Sequence, residues 1–503
     1  MDIPLTSGAY SAQGLIANAQ RSINVYPEKN PADTTPAKPV THYPRPGLTL
    51  LGAPPVPAQA RGLYATTNGL PLAVVGQNVY FIDQEFKFNL LGTLIQAGVT
   101  NPVRMSDNGK TAVLVDGSSN GYQITINPGP PNAFLQIGDP NFLGANWVDF
   151  LDGFLVFNQP NTRFFYATLA NQVVFNALYV GETTAYPDNC IAVICNGREL
   201  WVIGPRKAEV WYNAGTVPFP FQLEPGVIIE QGCIAQYSVA KMDTNIYWVS
   251  QSPEGARMVM RLNTNHVAQR ISTHAIEFEW LSYPRVDDAI GATYQISGHS
   301  FYKIHFPTAD KTWGFDEATQ QWHEDNWIDG NGVLHRARNT FCCYAYGMNM
   351  GLDWQNGNLY KIDPAAYTDN GQVIAWKRSF PHVVKELTKI SGSAFVADIE
   401  TGAHPGSDEG DQFTSPWSQG FSSGFGPLGK LSRPTIAMRV SKNGGYSFGN
   451  HRLKGLVSSG HYRSMERWRQ LGIGRDWVFE LSSTADMVGI FNGAFFTPIE
   501  TIS

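Results

Sequence analysis

Charge is scarce in this chain. Asp, Glu, Lys and Arg make up 16% of its 503 residues, against roughly 25% in ordinary soluble domains. The net charge of −6 is too near neutral for a dedicated nucleic-acid binder, and the composition excludes a coiled coil and a charged disordered tail. Cysteine is sparse as well. Cys190, Cys195, Cys233, Cys342 and Cys343 form no Cys-x-x-Cys pair, and their odd number argues against a disulfide framework and a structural zinc site. They are expected as small buried side chains of a protein made in a reducing cytosol. Long apolar runs are missing: no stretch approaches the ~18 residues of a membrane-spanning helix. Residues 1–10 hold neither a basic residue nor the apolar core of a signal peptide, so no membrane insertion is expected.

What the chain does have is aromatic residues (12%), 49 glycines and 32 prolines. That mixture predicts an all-β protein of many short strands and tight turns. From residue 61 to about 370 an apolar strand, a polar or glycine turn and a second apolar strand recur, as in Val74 to Asp83, Ser106 to Asp116 and Ala192 to Ile203. The anchors Asn78, Thr111, Asp152, Arg198, Thr244, His299 and Gly357 are spaced 33 to 58 residues apart. Their mean interval of about 46 matches the ~40–50 residues of a four-stranded propeller blade. The Asn-Gly and Asp-Gly turns supply the positive φ that two-residue hairpins need. A β-propeller of six or seven blades is expected, with a string of β-sandwiches as the alternative.

The ends of the chain read differently. Residues 12–21 predict a short helix, and residues 27–57 hold nine prolines in 31 positions. Proline fixes φ and removes a donor, so this stretch is read as an extended arm lying across a neighbouring subunit. The organisation expected is therefore an arm over 1–60, the propeller over 61–370 and a β-rich C-terminal platform segment over 371–503 with a Gly-rich loop at 401–430. Between residues 430 and 475 ten Lys or Arg stand against Glu466 alone, so this run carries +9 and the rest of the chain −15. The run either pairs within its subunit, docks onto an acidic partner or touches DNA.

Several motifs imitate chemistry. Gly420-Phe421-Ser422-Ser423-Gly424 matches a nucleophile elbow, but no strand precedes it and no helix follows. Gly424-Phe425-Gly426-Pro427-Leu428-Gly429 matches a dinucleotide fingerprint, which Pro427 and the absent βαβ frame remove. His299 and His305, six apart on one strand, are expected as ordinary strand histidines, and Asp408-Glu409-Gly410-Asp411 as a solvated loop without spaced calcium ligands. Ser441-x-Asn443-Gly444-Gly445-x-Ser447-Phe448 is similar to the structural Asp-box of sialidase propellers, in one degenerate copy. No catalytic, cofactor-binding or metal-binding set is expected.

Two segments carry a resemblance to a known family. The first runs from Gly8-Ala9-Tyr10-Ser11 through Ala17-Asn18-Ala19-Gln20-Arg21-Ser22-Ile23-Asn24-Val25-Tyr26-Pro27-Glu28. The second is Met438-Arg439-Val440-Ser441-Lys442-Asn443-Gly444-Gly445, followed by Arg467-Trp468-Arg469-Gln470-Leu471-Gly472 and Arg475-Asp476-Trp477-Val478-Phe479-Glu480. Together they resemble the tail hub, or nozzle, protein of short-tailed bacteriophages, also described as the packaged-DNA stabilisation protein. The resemblance implies a homo-hexameric ring below the portal and head-to-tail adaptor. It implies tail spikes or fibres, and a tail needle or plug, as further partners. DNA would pass through the lumen without sequence specificity. The place implied is the virion tail, assembled in the host cytoplasm, with no catalysis and no cofactor. Candidate interface residues are Arg21, Asn24 and Tyr26 at one end, and Lys442, Arg452, Lys454, Arg463, Arg467, Arg469 and Arg475 at the other. The alternative is a propeller-type glycan hydrolase, which needs a carboxylate pair, or a carbohydrate-binding propeller using exposed Trp platforms.

Overall fold

Several strands of this chain are buried on both faces, which is what a blade wedged between two other blades requires. In Pro71–Val75 every residue is buried. Leu72 and Val74 join one apolar cluster, with Leu114 and Tyr122, while Ala73 and Val75 join another, with Met350 and Leu359. Burying a side chain of this size contributes ~1.5–3 kcal/mol. A computed structural model describes the whole chain except residues 1, 4–7, 12, 16–17, 31–39, 96–99, 128, 185, 264, 386–387, 402–434, 457–462, 488 and 501–503. The Gly-rich loop beyond Thr401, with both glycine motifs and the acidic run at 408–411, lies outside the described residues.

Seven four-stranded antiparallel blades follow one another over 60–93, 104–136, 148–182, 192–229, 240–270, 290–324 and 339–363. The first strands of successive blades are neighbours around the centre, and that of the seventh, Asn339–Ala345, lies beside that of the first, Ala60–Ala65. The ring therefore closes with seven blades, and each of the seven sequence anchors falls in a different one. In six blades the turn between the first two strands holds a glycine at positive φ (Gly69, Gly109, Gly153, Gly197, Gly298, Gly347), and in the fifth Asp243 takes that conformation.

The seventh blade contributes only three strands from its own segment. Its fourth is Gly47–Gly52, which pairs antiparallel with Leu359–Asp363. This corrects the expectation of an extended arm. Residues 40–52 are built into the subunit, and Leu48, 2% exposed, packs with Tyr360 and Ile362. Val25–Lys29 is likewise a strand, paired with Val40–Pro44 at the edge of a C-terminal sheet. Its Pro27 sits where proline is tolerated, on an edge strand. The short helix expected over 12–21 is not formed among the described residues; Tyr10–Ser11 and Ala19–Gln20 pair as a hairpin instead.

The C-terminal segment is a two-sheet sandwich. One sheet has the order Arg463–Gly474, Ile390–Glu400, Ile490–Glu500, Val40–Pro44, Val25–Lys29. In the other, Trp376–Ser379, Asp476–Ser483, Thr435–Ser441 and Arg452–Gly455 lie side by side. Between the sheets pack Phe395, Trp468, Trp477, Phe479 and Phe496. The second sheet is continuous with the sixth blade, because Ser22–Ile23 lies parallel to Gln321–Glu324 on one side and antiparallel to Trp376–Ser379 on the other. Among the described residues no helix is long and apolar enough to cross a membrane.

Candidate interaction surface

The two family-like segments, far apart in sequence, meet at the junction of propeller and platform. Gly8 lies against the sixth blade, where a Cβ would come within 2.4 Å of the Trp322 carbonyl oxygen, so no larger residue fits. Gly445, at φ +90°, lies against Ala19, and a Cβ there would stand 2.8 Å from that methyl. The turn holding Gly445 is fixed from within: Asn443 accepts from Ser441 Oγ (2.7 Å) and from the Ser447 N–H (3.0 Å), and donates to Ser447 Oγ (2.8 Å).

Arg21 donates a paired hydrogen bond to Glu324, at 3.0 Å to each oxygen. The charge of Glu324 raises the Arg21 pKa further, against the effect of burial. Asn24 is fully buried at φ +56°. Its side-chain oxygen accepts from Arg45 Nε and the Asn326 N–H, both at 2.8 Å, and its amide donates to the Ala375 carbonyl at 2.7 Å. Arg45 in turn holds Asp369 and the Asn326 carbonyl. Tyr26 is buried among Tyr43, His299 and Phe301. Asn24 and Tyr26, expected at an interface, are thus internal, and Arg21 binds its own subunit. They cement the junction. His299 and His305, expected as ordinary strand histidines, pair with Asp316 and Thr312 respectively.

A cavity of about 510 Å³ opens at this junction, lined by Arg21, Glu279, Lys311, Trp313, Arg439 and Glu480 among others. Glu480 is held by Arg439, by Ser379 Oγ (2.9 Å) and by Lys377 at 3.6 Å. Among the described residues, the Glu279 carboxylate accepts from Tyr283 OH, at 3.2 Å. Burial, and then the charge of Glu324, raise its pKa. Neither Glu279 nor Glu324 stands out in the sequence. Glu480 does, as the last residue of the second segment.

The basic run forms the far edge of the sandwich. Strands Arg452–Gly455 and Arg463–Gly474 are the outermost of their two sheets. They touch through the Arg452 guanidinium on the Arg469 carbonyl (2.6 Å) and Trp468 Nε1 on the Arg452 carbonyl (2.8 Å). Arg463 pairs with Asp398, at 2.7 Å through two nitrogens, and Arg439 pairs with Glu480. Lys442, Lys454, Arg467, Arg469 and Arg475 are exposed and Arg452 is half-buried, and none of the six forms an ion pair among the described residues. Lys442 places its ammonium 5.4 Å from the Trp477 ring centroid.

The centre of the propeller is filled. The short turn Gln236–Ser238 touches blades on opposite sides of the ring. Arg104 of the second blade donates to the Tyr237 carbonyl at 2.7 Å, and Trp147, leading into the third, donates to the Gln236 carbonyl at 3.1 Å. Tyr302 of the sixth donates to the Ser238 carbonyl (2.7 Å), and Ser238 Oγ accepts from the Val249 N–H of the fifth (2.9 Å). The Arg104 guanidinium lies 4.1 Å from the Trp147 ring centroid, and burial lowers its pKa to about 10.

Comparison with known proteins adds the decisive observation. Residues 1–367 match the phage stabilisation family described as "Bacteriophage P22 Gp10, beta-propeller". The chain belongs to this family. It is a bacteriophage tail and DNA-stabilisation propeller protein. The match ends near the start of the platform, which holds the basic run. No curated protein matches the chain. Solved structures with similarity include a streptogramin B lyase, 10% identical over 62% of this chain and 96% of that one, TM-score 0.37. Another is the WD40 propeller domain of Doa1, 10% identical over 63% and 96%, TM-score 0.39. A third is the extracellular domain of the putative hybrid two component system BT4673 from B. thetaiotaomicron, 5% identical over 72% and 44%, TM-score 0.42.

Proposed function

We propose that this family member is a non-catalytic hub of a short phage tail. Six copies form a ring beneath the portal and its adaptor, extend and close the DNA channel, retain the packaged genome and anchor spikes or fibres. The observation that carries this reading is the family match over residues 1–367. The filled propeller centre supports it in a specific form: DNA travels through a lumen enclosed by several copies, not along the axis of one propeller. A near-neutral chain suits that role, because Lys and Arg contacts to phosphate would hold DNA that has to slide. The exposed platform cations dock onto an acidic protein surface of the tail, where complementary charge sets register and association rate. The carbohydrate-binding alternative has less support. Every described tryptophan is buried except Trp354, and the Arg336 guanidinium covers its ring at 3.9 Å.

The test is charge reversal at Lys454→Glu with Arg467→Glu, leaving Arg463 to its ion pair with Asp398. Loading onto adaptor-capped heads should slow and become more salt-sensitive, since screening acts over ~8–10 Å at moderate ionic strength. The melting temperature should not move, and heads lacking the protein should lose DNA. Loading at the wild-type rate would contradict docking, and faster ejection after normal loading would assign these cations to DNA.

A further inference from the structure

A second cavity, of about 200 Å³, opens where the hairpin of Val25–Lys29 and Val40–Pro44 meets the sixth and seventh blades and the platform. It is smaller than the ~300–1,000 Å³ that a drug-sized ligand fills. Its walls are largely tyrosine and proline. Tyr26 and Glu28 stand two apart on one strand and so share a face, while Lys29 points the other way. Tyr43 lies across from Tyr26, with the two rings stacked at 6.2 Å between centroids. Pro364 and Tyr367, from the segment that leaves the seventh blade, complete the lining together with Pro44. The two basic side chains of the lining are already taken, Arg45 by Asp369 and His299 by Asp316. Glu28 is half-buried and forms no ion pair among the described residues, and the same holds for Glu400 and Asp486 beside it. Burial, then the charges of Glu28 and Glu400, raise the pKa of the Tyr43 hydroxyl, and burial with Asp486 raises that of Tyr367. Tyr26 adds a separate observation. It is 7% exposed, lines the cavity, and its hydroxyl has no hydrogen-bond partner among the described residues.

We infer that this cavity binds an organic cation, a primary ammonium or guanidinium group on a short alkyl stem. Tyrosine faces attract such a group through their quadrupoles, Glu28 offers it a charge-assisted hydrogen bond, and the Tyr26 hydroxyl oxygen is left to accept another. Tyrosine and proline surfaces suit the stem, which buries its methylenes against apolar walls. An anion would meet uncompensated carboxylates. A bare metal ion would lack ligands, because no cluster of three His, Cys, Asp or Glu side chains suited to a metal occurs among the described residues. The same cationic chemistry is carried by a free polyamine and by a Lys or Arg side chain of another protein. The inference does not depend on the ring reading. Since the lining comes from the hairpin, two blades and the platform, the bound cation ties these parts together and stabilises the folded state.

Calorimetric titration of the full-length protein at constant ionic strength tests this, with putrescine as the free amine and the acetylated amides of lysine and arginine as side-chain probes. Wild type should bind one equivalent of at least one probe and melt higher in its presence. Tighter binding of putrescine assigns the site to a free polyamine, and tighter binding of either amide assigns it to a side chain of a partner. Glu28→Gln should weaken binding at least about tenfold, as loss of a hydrogen bond to a charged group does. Tyr367→Leu should weaken it about two- to fivefold through the lost ring face. Glu254→Gln, at an exposed acid of the fifth blade, should bind as wild type does. Glu28 has no ion pair to lose, so Glu28→Gln should keep the wild-type melting temperature. If it does not fold, Glu28→Asp, which keeps the charge but withdraws it by one methylene, is read in its place and should also bind more weakly. Binding of no probe, or wild-type affinity in the Glu28 variant, would overturn the site. An equal loss in Glu254→Gln would overturn it too, by showing diffuse attraction to an acidic chain.

Discussion

Asn24 holds three parts of the molecule through one side chain. Its oxygen serves Arg45 and the Asn326 N–H and its amide serves Ala375, all from a left-handed backbone. Asn24→Ala strands these buried partners and should cost about 2–4 kcal/mol, lowering the melting temperature by several degrees. Asn24→Gly loses the same bonds but accepts positive φ, and should be less harmful by about 1 kcal/mol. Equal losses in the two variants would remove backbone strain from the explanation. Glu279 gives a pH test at the same junction. Burial, then Glu324, raise its folded pKa above the ordinary carboxylate value. The folded state therefore holds its proton longer, and stability falls as pH rises from ~4.3 through the folded pKa. Glu279→Gln should match wild type below about pH 4 and melt higher at pH 7. It should leave DNA retention unchanged, and loss of retention would give this carboxylate a functional role.

At the scale of elements, the N-terminal strands behave as a clasp. Ser22–Ile23 bridges blade and platform, and Gly47–Gly52 completes the seventh blade. Removing residues 1–52 takes out that fourth strand together with Asn24 and Arg45. The truncated chain should aggregate or melt far below wild type, measured by size-exclusion chromatography and circular dichroism, because it exposes a sheet edge. A truncated chain that stays monomeric with unchanged melting would contradict the clasp. The blades were legible in the sequence because a hairpin turn needs Gly, Asn or Asp locally, and one anchor landed in each blade. The clasp was not. Its partners, Leu359–Asp363 and Ile490–Glu500, lie hundreds of residues away, and such pairing leaves no local mark. Its prolines suggested an arm because proline marks a strand edge and a linker alike. In the basic run, composition revealed the charge excess, but only geometry separates Arg463, tied to Asp398, from the exposed Arg467.

At the scale of the whole molecule, charge is partitioned: a +9 run sits within a chain that is otherwise −15. The filled propeller centre means that one copy alone offers DNA no passage, so the account depends on several copies enclosing a lumen. Electron microscopy of purified tails, with and without this protein, tests that most directly. The account predicts a ring of six propellers around the tail axis, distal to the adaptor, with a central lumen between the propellers. Copies scattered singly at the tail periphery, or a tail axis passing through one propeller, would contradict it.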